Sequence, residues 1–233
     1  MSERLPLFPL GTVLFPGLVL PLHVFEERYR AMIRHLIRDD DDHGAFGVVA
    51  IRLGRETVVG DTAADGTPTD QAEVTLHQVG CTAEIRQLTA HPDGRFDLVT
   101  VGRRRFRIRE LHRGAAPFLE ADIDWIDEPD ADARAESLVP GMLDLFQRYL
   151  QVIRTDGGEG GELLPDDPAV LSYLIAATAV LAVDDRQQLL AAESPADRLA
   201  LERRLINREL VLLRELSALP IPLGDLAAAS SDN

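Results

Sequence analysis

Arg103, Arg105, Arg107 and Arg109 fall at every second position of one segment, a spacing that aims four guanidinium groups from one face of a β-strand. Such a stripe could grip successive phosphates of a nucleic acid. One short loop further on, Glu120, Asp122 and Asp124 alternate with Leu119, Ala121, Ile123 and Trp125, an acidic stripe of the same period. Cross-strand ion pairing is therefore the preferred reading of the arginines. RNA binding through Arg103, Arg105, Arg107 and Arg109 is the alternative. If the two strands pair symmetrically about their loop, Arg105 to Arg109 face Glu120 to Asp124 on one exposed surface.

Other chemistries fail on residue type. All 24 basic side chains are arginine. Without lysine there is no phosphate-loop lysine of a Walker ATPase, no Ser–Lys proteolytic dyad and no Schiff base, because arginine's permanently charged fork replaces none of them. His23-Val24-Phe25-Glu26-Glu27 begins an H-x-x-E-H zinc pattern, but Glu27 stands where the second histidine belongs. No serine lies in a G-x-S-x-G elbow. Cys81, the single cysteine, can form neither an internal disulfide nor a multi-cysteine zinc site, and reads as a small buried residue. Asp39 to Asp42 lacks the alternating ligands of a calcium loop and reads as solvated. The glycine run 157–161 follows no strand and reads as an interhelical loop. No catalytic residue, metal site or cofactor is expected. A net charge of −15, with 15 Arg against 20 acids before residue 128 and 9 against 19 after it, disfavours a nucleic-acid partner.

The elements that carry these residues divide by period. With 45% hydrophobic and 27% charged residues the chain has the material for a packed core. No apolar run reaches the roughly 18 residues of a membrane span, and no basic-then-apolar leader opens the chain, so a cytoplasmic protein with no membrane partner is expected. Up to about residue 127 the apolar residues alternate, as strands do, with candidates at 45–52, 56–59, 74–90, 95–109 and 118–126 and turns at Asp65-Gly66 and Asp93-Gly94. One helix, 25–38, interrupts them, its apolar stripe being Phe25, Tyr29, Met32, Ile33 and Leu36. Beyond about 135 the period is helical. Helices are expected at 135–154, from Asp167-Pro168, at 184–192, and from Ser194-Pro195 to about Leu219, where a proline at the first helical position and an acid at the third mark the start. The expected class is α+β: a β-rich unit over 1–127, a helical bundle over 128–223 and a disordered tail over 224–233.

The opening run from Leu5-Pro6-Leu7-Phe8-Pro9-Leu10 through Phe15-Pro16-Gly17-Leu18 and Pro21-Leu22-His23-Val24-Phe25-Glu26-Glu27-Arg28-Tyr29 closely resembles the signature of the Lon substrate-binding domain family. The segments Val79 to Ile85, Asp93-Gly94-Arg95, Gly102 with Arg105-Phe106-Arg107-Ile108, and Phe118 to Trp125 are similar in order. The resemblance implies a PUA-like pseudo-barrel followed by a helical bundle, and a module that binds unfolded or tagged polypeptide segments. Lon proteases continue into an ATPase and a Ser–Lys protease, for which this lysine-free chain has no residues. The expected role is accordingly non-catalytic, as an adaptor or regulator with a separate protease as a further partner. Phe15, Leu18 and Phe118 are the candidates to line a peptide groove between barrel and bundle, set against the ordinary fate of such residues, which is core packing.

Overall fold

The computed structural model describes residues 3–38, 44–53, 75–114, 116–153 and 164–218. The candidate strand 56–59, the Asp39 to Asp42 run, the Asp65-Gly66 turn, the glycine run 157–161 and the tail all lie outside these residues. In chain order the elements are β1 (Glu3–Leu10), β2 (Val19–Val24), α1 (Glu27–Arg38), β3 (Ala45–Leu53), β4 (Thr75–Leu76), β5 (Val79–Ala90), β6 (Phe96–His112), β7 (Leu119–Ile126), α2 (Ala133–Ile153), α3 (Pro168–Thr178), α4 (Val183–Ala191) and α5 (Pro195–Ala218). The single strand expected over 74–90 is broken at His77-Gln78 into β4 and β5.

Five strands close on themselves in the order β1, β7, β6, β5, β3. The pairing that returns from β3 to β1 is parallel, from Leu7↔Gly47 to Leu10↔Ala50, whereas the other neighbours are antiparallel. Closure removes the exposed edges that an open sheet would offer for aggregation. The interior of this barrel is narrow. Phe106 fills it together with Leu5, Leu7, Val49, Ala121 and Ile123. A Cβ on Gly47 or Gly80 would come 2.6 or 2.5 Å from the tip of the Phe106 ring, so only glycine fits at both positions.

The outside of β3 and β5 is covered by α1 and by the helical half. Tyr29, Met32 and Ile33 of α1 are buried, with the Tyr29 ring stacked on Phe8 at 4.0 Å between centroids. Phe25 departs from the expected stripe. The helix starts two residues later, with Glu26 accepting the first bonds from the Tyr29 and Arg30 amides, and Phe25 stays 53% exposed. The helix starts follow their capping chemistry: Asp167 accepts from the Val170 amide ahead of Pro168, and Ser194 and Asp197 form a reciprocal cap ahead of α5. Strands end at Ile126 and helices begin at Ala133, yet one apolar cluster runs across the change, joining Phe8, Phe15 and Cys81 to Tyr173, Ala176 and Leu190. Among the described residues no helix is long and apolar enough to cross a membrane.

Candidate functional site

β6 is 17 residues long, and only its second half belongs to the closed barrel. Its first half runs on beyond the barrel, with β2 on one side and the end of β5 on the other, turning back at Asp93-Gly94, where Gly94 has a φ of +83°. One face of this three-stranded extension carries Leu20, Leu22 and Val24 with Leu98 and Phe96, which pack into the apolar cluster. The opposite face is open. Its rows follow from the register: Pro21 beside Val99 beside Gln87, and His23 beside Asp97 beside Thr89. They line a hollow of about 460 Å³. Val19, 63% exposed, and Phe25 flank it at the two ends of β2.

Among the described residues, β2 pairs only with β6, so its other edge is free. Leu18 accepts from the Gly102 amide, and antiparallel alternation then turns the backbone groups of Val19, Pro21 and His23 toward that free edge. Pro21 has no N–H to offer there. A strand approaching the edge would find the central donor missing, so the face is better suited to binding than the edge.

The far end of the face is polar. Asp97 accepts from His23 Nδ1 at 2.5 Å and from His91 Nε2 at 2.6 Å, and these two hydrogen bonds, His23 first, hold its carboxyl below the usual aspartate range. The result is an apolar strip closed at one end by a carboxylate and two imidazoles. It has no nucleophile held by a base.

The three sequence candidates for a peptide groove occupy other places. Phe15 is fully buried between Tyr173 and the Arg186 guanidinium. Phe118 is buried with its ring 5.9 Å from His35, and Leu18 is half-buried against the same cluster. Packing, not a groove, fills the space between barrel and helices at these residues. Val19, Pro21, Val99 and Phe25 were not singled out as site residues. The signal available was Val19-Leu20-Pro21-Leu22, apolar on both faces of a strand where a surface strand would show one polar face.

The arginine stripe is spent largely on partners within the chain. Arg103 pairs with Glu84 of β5, and Arg109 with Asp124 of β7. The register is offset by two residues from the symmetric expectation, with Arg107 opposite Asp124 and Arg105 opposite Ile126, and a bulge between Ile108 and Glu110 interrupts it. The expectation that every pair is exposed fails at Arg105, which is 2% exposed. Its guanidinium lies under α4, donating to the Leu190 and Ala192 carbonyls at 2.8 and 2.6 Å, with Glu128 at 2.7 Å.

Glu110, His112 and Asp122 bring three possible metal ligands within 4.8 Å of one another. Arg4 already supplies positive charge there, its guanidinium 3.3 Å from Asp122 and 3.4 Å from His112. Cys81 is buried and its thiol is pushed up to about 12 by burial, which makes it inert as a nucleophile.

Comparison with known proteins agrees with this architecture. The model of the ATP-dependent protease La (LON) substrate-binding domain matches residues 4–208. The Lon protease of Desulfovibrio desulfuricans is 28% identical over 214 residues, which cover 90% of this chain and 22% of that protein. The chain thus spans under a quarter of the length of that relative. Among solved structures, the Lon N-terminal domain protein from Xanthomonas campestris superposes with a TM-score of 0.56 at 24% identity, covering 85% of this chain and 95% of that one. The N-terminal domain of the Mycobacterium avium complex Lon protease gives a TM-score of 0.62 at 19% identity, covering 88% and 98%. With the family model matched from β1 into α5 and the fold shared with Lon N-terminal domains, the chain belongs to the Lon substrate-binding domain family.

Proposed function

We propose that this protein is a non-catalytic polypeptide-binding module whose contact surface is the open face of β2, β6 and β5. The observation that carries the reading is the apolar surface of Val19, Pro21 and Val99, with Phe25 exposed beyond the His23–Asp97–His91 cluster, on a strand whose free edge is blocked by proline. An unfolded segment supplies what such a strip selects for: apolar side chains on a chain with no fixed shape. Catalysis has no support in the residue set, since lysine is absent and the one cysteine is buried.

An adaptor or regulator delivering segments to a separate protease in the cytoplasm follows from this reading. The nucleic-acid alternative is weaker, because Arg103, Arg105 and Arg109 already hold carboxylates. The test is binding of a fluorescein-labelled, reduced and carboxymethylated protein to the full chain and to Val19→Ser/Phe25→Ser. Binding that survives the double substitution unchanged removes the face as the contact surface.

A further inference from the structure

A second opening lies at the seam between α4 and the barrel. Arg52 of β3, His77 ahead of β5, Arg107 of β6, and Asp184, Gln187 and Gln188 of α4 line a cleft of about 490 Å³, within the range of small-ligand sites. Arg52 and Arg107 are both exposed, and among the described residues neither has a carboxylate partner, in a chain with 39 acids for 24 arginines. The cross-strand neighbour of Arg107, Asp124, is taken by Arg109. Among the described residues, two cations with no carboxylate partner are therefore brought to one cleft in a chain rich in acids.

The walls hold the cleft open. Gln187 is 6% exposed, and its Nε2 donates to the Val79 carbonyl at 2.8 Å, tying α4 to the start of β5. Its Oε1 is buried with no hydrogen-bond partner. His77 Nε2 lies 3.5 Å from the Asp184 carboxylate, which stands at the mouth. Burial above all, with a smaller contribution from Arg52, holds the His77 imidazole below its usual range against the opposing pull of Asp184. Among the described residues that line the cleft, two guanidinium groups against one carboxylate leave a single net positive charge.

We propose that this cleft binds a monoanionic carboxylate, clamped by Arg52 and Arg107. A planar fork of donors suits a carboxylate in two-point contact, and one net charge is neutralised by a monoanion while a dianion is repelled by Asp184. The amides of Gln78 and Gln188 flank the clamp and can pair with an adjacent peptide group. Two sources supply such a carboxylate: an acidic or C-terminal group of a polypeptide, and a free small acid. The cleft stands apart from the β2 face and is independent of the polypeptide reading given to that face.

The test follows the arginine Nε–Hε resonances of the isotopically labelled full chain during titration with N-acetyl-Ala-Ala, its C-terminal amide, acetate and inorganic phosphate. Two resonances, absent from Arg52→Gln and Arg107→Gln respectively, are expected to shift with N-acetyl-Ala-Ala and stay still with the amide. Each substitution should weaken binding at least tenfold, with the melting temperature unchanged because both side chains are exposed. Acetate matching N-acetyl-Ala-Ala assigns the site to free acids, and a clear preference for the dipeptide assigns it to polypeptide. Val19→Ser/Phe25→Ser should titrate as the parent does, which separates this result from the fate of the β2 face. No arginine shift with any probe, or phosphate binding tenfold more tightly than the dipeptide, overturns the proposal.

Discussion

Arg105 and Arg198 hold the two oxygens of one carboxylate: Arg105 Nη2 lies 2.7 Å from Glu128 Oε2, and Arg198 Nη2 lies 2.8 Å from Glu128 Oε1. One arginine comes from the barrel and the other from α5, 93 positions apart, and both are buried. Arg198 also donates to Ser172 and stacks over Tyr173, whose hydroxyl bonds to Glu128. Removing one member leaves a buried charge with no counter-charge, which costs far more than the pair itself contributes. Glu128→Gln should therefore destabilise the protein by about 3 kcal/mol, and Arg105→Met, which removes a charge but keeps the volume, by less than Glu128→Gln. Urea unfolding of the two variants checks the order.

Arg107 provides the contrast on the same strand. Exposed, and with no ion-pair partner among the described residues, it should tolerate alanine with a change within about 0.5 kcal/mol. Arg107→Glu places a second carboxylate opposite Asp124 and should cost somewhat more, up to about 1 kcal/mol. Thermal melts at low and high salt separate the two effects, since only the repulsion is screened. If RNA binds this chain through the stripe, Arg107→Ala should flatten the salt dependence of that binding, because among the described residues Arg107 is the member of the stripe with no carboxylate partner.

Glu202 gives the pH dependence. It is fully buried, neither oxygen has a hydrogen-bond partner, and burial raises its carboxyl well above the usual glutamate range despite Arg198 nearby. The folded state then binds a proton that the unfolded state releases. Stability from this group is complete below the unfolded glutamate value, about 4.3, and falls as pH rises from there through the folded value. Glu202→Gln should remove that decline, matching the parent near pH 4 and exceeding it increasingly toward neutral pH. Denaturation midpoints at intervals between pH 4 and 8 read the difference in slope.

On the β2 face, Phe25 and Val19 each keep part of their apolar surface in water in the free protein. Covering the exposed half of a phenylalanine and most of a valine contributes about 2 kcal/mol together. Val19→Ser/Phe25→Ser should weaken binding of an unfolded protein roughly 30-fold, leaving the melting temperature within about 2 °C. Fluorescence anisotropy and a thermal melt on the same sample make the check.

Much of the architecture was legible because it rests on local rules. Ser194-Pro195 and Asp167-Pro168 announce their helices through capping atoms three residues away, and the α5 and α3 starts fall there. The Asp93-Gly94 turn needed only one glycine at positive φ. Arg105 was not legible in the same way. Its alternation with Phe106 fixed its face, but the carbonyls of Leu190 and Ala192 that cover that face lie 85 and 87 residues away, and no periodicity in 103–109 registers them. The pairing partners were likewise misplaced, by three residues next to the turn and by two beyond the bulge, because alternation fixes the face of each side chain and not the register of the turn that joins the strands. Phe25 fits the helical period by position while the chain is still leaving β2, so the period alone overran the helix start.

The closed order of strands also dictates a sequence of events in time. Of the barrel strands β1 is synthesised first, yet its neighbours are β3 and β7, with Glu3 set beside Ile123 and Leu7 beside Gly47. Ring closure must wait until about residue 126 has left the ribosome, and meanwhile Leu5, Leu7, Phe8 and Leu10 have no barrel to enter. Pairings this distant in sequence carry a large loop-closure entropy and slow the search for the native state. The nascent chain therefore passes through an interval in which β1 is itself an unfolded segment of the kind such a module would bind.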